Sequence, residues 1–265
     1  METFQALTDY YSSYDEEGRL LSRHGSVEYL TTMRYDKKYL KPGMRILEIG
    51  AATGRYSHAL ARMGYRVEAV ELVRHNIDIF NSLTQPGEDI TIRQGNAKDL
   101  SCYDDESFDM TLLLGPMYHL FTVEEQKQAV SEAFRVTKAG GLVFAAYCGN
   151  EATMIQYCFG KGMIRDPHLR QKIDPVTFKA SSDPAELFQL YRREDIDNLM
   201  KELPGERLHY VGVDLATNYM RQTIDEMDDE LFGLYLRYHF TICERSDLVG
   251  ASHHILDVSR KTADT

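Results

Sequence analysis

The chain has 265 residues, 30 Lys and Arg against 41 Asp and Glu for a net charge of −11, and a hydrophobic fraction of 43%, which gives one to two domains a real core and excludes a wholly disordered chain. The acidic balance disfavours a nucleic-acid partner, which needs clustered Lys and Arg, and no apolar run reaches the roughly 18 residues of a bilayer span, so no membrane partner is expected. The opening METFQALTDYYSSYDEEGR reads as neither signal nor transit peptide, and four cysteines without a CxxC pair exclude a disulfide framework or zinc ribbon, so a reducing cytoplasm is the expected setting.

The first half alternates short apolar strands with amphipathic helices. Met44–Ile49 reads as a strand ending at Gly50, and a helix from about Tyr56 to Met63 follows, stopped by Gly64. Arg66–Val70 is the next strand and ends at Glu71; a helix through Ile77, Phe80 and Leu83 runs into the Pro86-Gly87 turn. Ile90–Gln94 alternates as an exposed strand does, whereas Phe108–Leu114 is nearly all apolar, the pattern of a strand covered on both faces. Thr122 and Glu125 form a capping box that opens a helix through Phe134. Gly140-Gly141 ends that unit, and Leu142–Ala146 is a fifth strand. Such alternation implies a doubly wound α/β sheet, Rossmann-like and mostly parallel.

The second half is less regular. Three Asp-Pro pairs punctuate residues 151–184, and Pro184 reads as the first turn of a helix. Helical patterns follow around Leu187–Leu190 and Ile196–Leu203, then a strand at Leu208–Val213, an acidic helical stretch from Ala216 to about Arg245, and a last strand at His253–Val258. That makes seven strands with helical cap insertions. The expected organisation is a helical lid over residues 1–40, a core over 41–150, and a helical cap with the last two strands over 151–265.

The informative segment is Glu48-Ile49-Gly50-Ala51-Ala52-Thr53-Gly54, at a strand-to-helix junction. Small residues there let the backbone turn sharply and approach a ligand. A P-loop needs a lysine that is missing, and a dinucleotide loop needs glycines where Ala52 and Arg55 stand. Glu48-x-Gly50-x-x-x-Gly54, with Glu71 closing the second strand, Gly95-Asn96-Ala97 after the third and Leu114-Gly115-Pro116-Met117-Tyr118-His119 after the fourth, resembles class I S-adenosylmethionine-dependent methyltransferases. The last string is similar to small-molecule enzymes of the UbiE-like, type 11 group. Ala52 stands where many family members carry a third glycine.

The resemblance implies S-adenosylmethionine as cofactor, held by Glu48, Gly50, Ala51, Ala52, Gly54, Glu71, Leu72, Asn96, Ala97, Leu114 and Gly115. Glu71 would accept the ribose hydroxyls and Asn96 would pair with the adenine amine. His119 and Tyr118 are the candidates for removing or orienting an acceptor proton. The cluster from Tyr10 to Asp15 together with Arg19 suggests a lid, with Tyr11 and Arg19 reaching the cofactor. The implied reaction is methyl transfer to a small-molecule O, N or C nucleophile. Methylation of a protein or RNA, a nicotinamide-dependent oxidoreductase and a non-catalytic cofactor-binding subunit remain as alternatives. No metal is expected: His253 and His254, adjacent on a strand, should point to opposite faces. Tyr238-His239 reads as a packed helix face, and Asp225–Glu230 as a solvated helix start.

Overall fold

A computed structural model describes residues 2–14 and 16–263, so Asp15 of the N-terminal cluster lies outside the described residues. Helices α1 (Glu2–Ser13), α2 (Glu16–Arg19) and α3 (Arg23–Tyr39) precede the first strand. The core then runs β1 (Arg45–Ile49), α4 (Arg55–Arg62), β2 (Arg66–Glu71), α5 (Arg74–Leu83), β3 (Ile90–Gln94), β4 (Phe108–Leu113), α6 (Val123–Val136) and β5 (Thr137–Gly149). The rest comprises α7 (Asn150–Thr153), α8 (Pro167–Gln171), β6 (Leu190–Tyr191), α9 (Arg193–Met200), β7 (Gly205–Gly212), α10 (Arg221–Asp225), α11 (Asp229–Ile242) and β8 (His254–Lys261). Among the described residues no helix is long and apolar enough to cross a membrane, and all four cysteines are free.

The strands form one open sheet in the order β3-β2-β1-β4-β5-β8-β7, with the two-residue β6 beside β5. β1 to β5 pair in parallel, while β8 is antiparallel to both β5 and β7. The doubly wound, mostly parallel architecture is as expected. Ile46, Leu47 and Ile49 of β1 and Met110, Leu112 and Leu113 of β4 are buried, as strands covered on both faces must be. Strand order reverses between β1 and β4, and such a switch point opens a crevice at the carboxyl ends of the strands.

Three local expectations are corrected. Leu187–Leu190 is not helical; Leu190 and Tyr191 pair with Cys148 and Gly149, and the Tyr191 hydroxyl donates to the Met117 carbonyl at 2.9 Å. So short an apolar run carries no period with which to decide. Pro184 does open a helical turn, capped by Asp183, but it ends at Glu186. Gly140 and Gly141 lie inside β5 rather than before it, where the register against β4 shifts and Gly140 takes φ +78°. The Thr122–Glu125 capping box is present as read.

The turn after β1 positions the site. Gly50 N–H and Ala51 N–H both donate to the Val70 carbonyl, at 2.8 and 3.2 Å. Gly50 has φ +73° and a Cβ there would stand 2.6 Å from Cδ of Pro116; at Gly54, φ +91°, it would stand 2.4 Å from the Phe80 ring. Neither position admits a side chain. Ala52 also sits in the left-handed region, at φ +48°, where a Cβ is strained. Ala52→Gly is expected to raise stability by about 0.5–1 kcal/mol by relieving that strain. Urea denaturation checks this; an unchanged or lowered midpoint contradicts it.

Candidate active site

A cavity of about 830 Å³ opens above the switch point. Its floor is the turn after β1, with Glu48, Gly50, Ala51, Ala52 and Thr53, together with Leu114 and Gly115 after β4. Tyr10 and Tyr11 of α1, Tyr14 just beyond it and Arg19 of α2 cover one side. The far half is walled by Glu28 of α3, Tyr118, Cys148, Tyr157 and Asn218, Arg221 of α10, and Asp214, His253 and His254 around β7 and β8.

Glu71 supports the floor from below. Its carboxylate accepts from Ala52 N–H and Val73 N–H, each at 2.9 Å, and from the Asn76 amide at 3.3 Å, and only 6% of the residue is exposed. One carboxylate therefore ties the turn after β1 to the start of α5. Oε1 is taken by Val73 and Asn76, whereas Oε2, with Ala52 alone, keeps a lone pair for a further donor.

Glu48 is also buried and accepts from the Ser57 hydroxyl. Burial, reinforced by the Glu71 charge and opposed by the Ser57 contact, pushes its carboxyl up to about 8. Near neutral pH it is mostly protonated.

The helical turn Pro116–His119 carries both proposed proton-handling residues, and they differ sharply in setting. Tyr118 lines the cavity, its ring 5.8 Å from that of His254, and burial raises its phenol pKa. His119 does not line the cavity. Its Nδ1 lies 2.6 Å from the Leu187 carbonyl, which can only accept, so Nδ1 bears the proton and Nε2 accepts from the Tyr11 hydroxyl at 2.9 Å. Burial, partly offset by the Leu187 bond, pushes its pKa down to about 4, consistent with that neutral tautomer. His119 thus fastens α1 to the turn after β4.

Of the residues named from sequence, Glu48, Gly50, Ala51, Ala52, Leu114, Gly115, Tyr118, Tyr11 and Arg19 meet at the cavity. Gly54, Glu71, Leu72, Asn96, Ala97 and His119 do not line it. Gly54 caps α4, and Asn96 is exposed with its side chain accepting from Lys98 N–H at 3.0 Å. Arg19 donates to Glu28 at 2.8 Å. Tyr238 is exposed and His239 buried, and neither faces the cavity.

Sequence reasoning missed Glu28, Asp214 and Arg221. Nothing in their local patterns marks them, because they converge from distant segments. It also misjudged His253 and His254. β8 begins only at His254, so the chain bends between them; their rings stand 4.5 Å apart, beside Asp214.

Residues 47–145 match the family described as "Methyltransferase domain". The chain thus carries a methyltransferase domain over that segment and is similar to class I S-adenosylmethionine-dependent methyltransferases. The cofactor of this family is S-adenosylmethionine. A "Ubiquinone biosynthesis O-methyltransferase" of Methylocella silvestris is 33% identical over 48% of this chain and 48% of its own. One of the same name from Stutzerimonas stutzeri is 25% identical over 84% of this chain and 95% of its own. At identities of 30% or more the chain spans about half or less of the length of the curated relatives it matches. A "SAM dependent methyltransferase" structure from Archaeoglobus fulgidus superposes with TM-score 0.60 at 15% identity, covering 96% of this chain and all of that one, and so shares the fold.

The burial of Glu48 predicts a pH dependence. An acid whose folded-state pKa lies above its unfolded value destabilises the fold progressively as pH rises between the two. The Glu48 contribution to stability should fall from about pH 4.5 to 8, and Glu48→Gln should remove that fall. Asp36, also buried and raised by desolvation and by the Glu48 charge, supplies part of the remaining slope. Thermal unfolding should find the variant more stable by several degrees at pH 8.5 and equal to the parent at pH 4.5. Parallel curves contradict the assignment.

Proposed function

We propose that this chain transfers a methyl group from S-adenosylmethionine to a small-molecule acceptor. The observation that carries the reading is one cavity that runs from the strained turn after β1 to a polar wall under the cap. A groove for a protein or nucleic-acid target would be open, whereas here α1, α3 and the cap segments surround the space. The aromatic lining, including Tyr11, Tyr118, Tyr157 and Phe188, suits an apolar or aromatic acceptor. The quinone-biosynthesis names of several relatives support a small-molecule acceptor as well.

The residues present fit the cofactor. The turn at Gly50–Thr53 has no room for added side chains and presents backbone to the cavity, suiting the methionyl portion. Glu71, whose Oε2 retains acceptor capacity, would take a ribose hydroxyl, and Leu72, Asn96 and Ala97 would flank the adenine. When bound, the cofactor supplies an already activated methyl group on a sulfonium. The protein's task is therefore to position the acceptor and exclude water.

Tyr11 and Arg19 close the site from the N-terminal side. Tyr118 presents a protonated phenol that orients the acceptor. His119, with both ring nitrogens engaged, is a positioning residue that holds Tyr11 and α1 over the cavity.

Titration calorimetry with S-adenosylhomocysteine tests the reading. The protein should bind it one to one, NAD should give no heat, and Glu71→Gln should weaken binding about tenfold or more through loss of a charge-assisted contact. No binding of the homocysteine compound, or binding of NAD in its place, overturns the proposal.

A further inference from the structure

At the cap end of the cavity β7 and β8, antiparallel neighbours, bring Asp214 and the pair His253-His254 to one point. Oδ1 of Asp214 is fully committed. It accepts from the Ser252 hydroxyl at 2.6 Å, His253 N–H at 2.9 Å and His254 N–H at 3.2 Å. Those bonds fix the carboxylate and aim Oδ2 at the two imidazoles, 2.9 Å from Nδ1 of His254 and 4.0 Å from Nδ1 of His253.

One ligand atom from each of the three residues lies within 4.8 Å of the others. Nδ1 of His253 is buried and makes no hydrogen bond. A buried ring nitrogen without a partner calls for an explanation, and a missing ion is one. A plain Asp214–His254 pair holding β7 to β8 accounts for His254 but not for this nitrogen.

We infer that Asp214, His253 and His254 form a binding site for a divalent transition-metal ion of the zinc type. Two imidazoles and one carboxylate suit such an ion, whereas Mg²⁺ and Ca²⁺ take oxygen ligands. Zinc bonds of about 2.0–2.2 Å in tetrahedral array set ligand atoms roughly 3.4 Å apart. The observed 2.9 and 4.0 Å bracket that spacing, and an incoming ion would displace the proton that Nδ1 of His254 shares with Asp214. Three protein ligands would leave a fourth position, and all three residues line the cavity.

The surroundings set what fills that position. Glu28, paired with Arg19, stands 3.2 Å from the same His254 nitrogen. Arg221 is held by Asn218 and Tyr157, both neutral. Two carboxylates and two guanidiniums nearly cancel, so a bound dication leaves positive charge toward the cavity. An anionic oxygen ligand belongs there.

The site is independent of the methyl-transfer reading and is tested by binding alone. The full chain, stripped with a chelator, is titrated with Zn²⁺ by calorimetry, and Co²⁺ absorption serves as a second readout. One zinc per chain is expected, with a tetrahedral Co²⁺ spectrum. His253→Ala and Asp214→Asn should each weaken binding about a hundredfold, and His75→Ala, an exposed histidine, should change nothing. Should Asp214→Asn fail to fold, His253→Ala, with its fold checked by circular dichroism, decides alone. No zinc binding to the parent, or undiminished binding to His253→Ala, overturns the inference.

Discussion

The arrangement depends on one buried carboxylate. Glu71, at the end of β2, accepts backbone N–H groups from Ala52 and Val73 at once. Without it, two buried donors would lack a partner, and the turn after β1 would have nothing to hold Ala52 at its left-handed φ. Desolvation raises the pKa of this group, and the donors from Val73, Ala52 and Asn76 oppose that rise. The turn is thus held by charge-assisted bonds to the end of β2, and the cavity floor takes its shape from them.

Around this anchor the protein distributes polar groups by what burial allows. Glu48, facing a dry crevice with one hydroxyl donor, is pushed toward its neutral form. His119, enclosed between the Leu187 carbonyl and Tyr11, is neutral for the same reason. Glu28 behaves oppositely: burial alone would raise it, but Arg19 and His254 outweigh burial and keep it ionised. Neutral groups near the floor and compensated charges on the far wall give the cavity two different ends.

Much of this was legible in the sequence. The β/α alternation, the glycine-bearing turn, the Thr122–Glu125 cap and the carboxylate ending β2 are local signals, each set by residues within a few positions of one another. The short strand at Leu190–Tyr191 was not legible, since pairing with β5 rather than local periodicity decides it. The far wall was not legible either: Asp214 and His254 meet through the pairing of β7 with β8, and Glu28 reaches them from α3, far away in the sequence. His119 shows the opposite failure. Its place in a motif suggested contact with an acceptor, but both nitrogens are spent on structure.

The central claim is that the turn held by Glu71 is the cofactor's seat, and backbone amide resonances test it most directly. In a titration followed by ¹⁵N–¹H correlation spectra, S-adenosylhomocysteine should move the Ala52 and Val73 amide signals in step with saturation, while that of Asp105, remote from the crevice, stays still. Saturable binding that leaves Ala52 and Val73 unmoved would contradict the account.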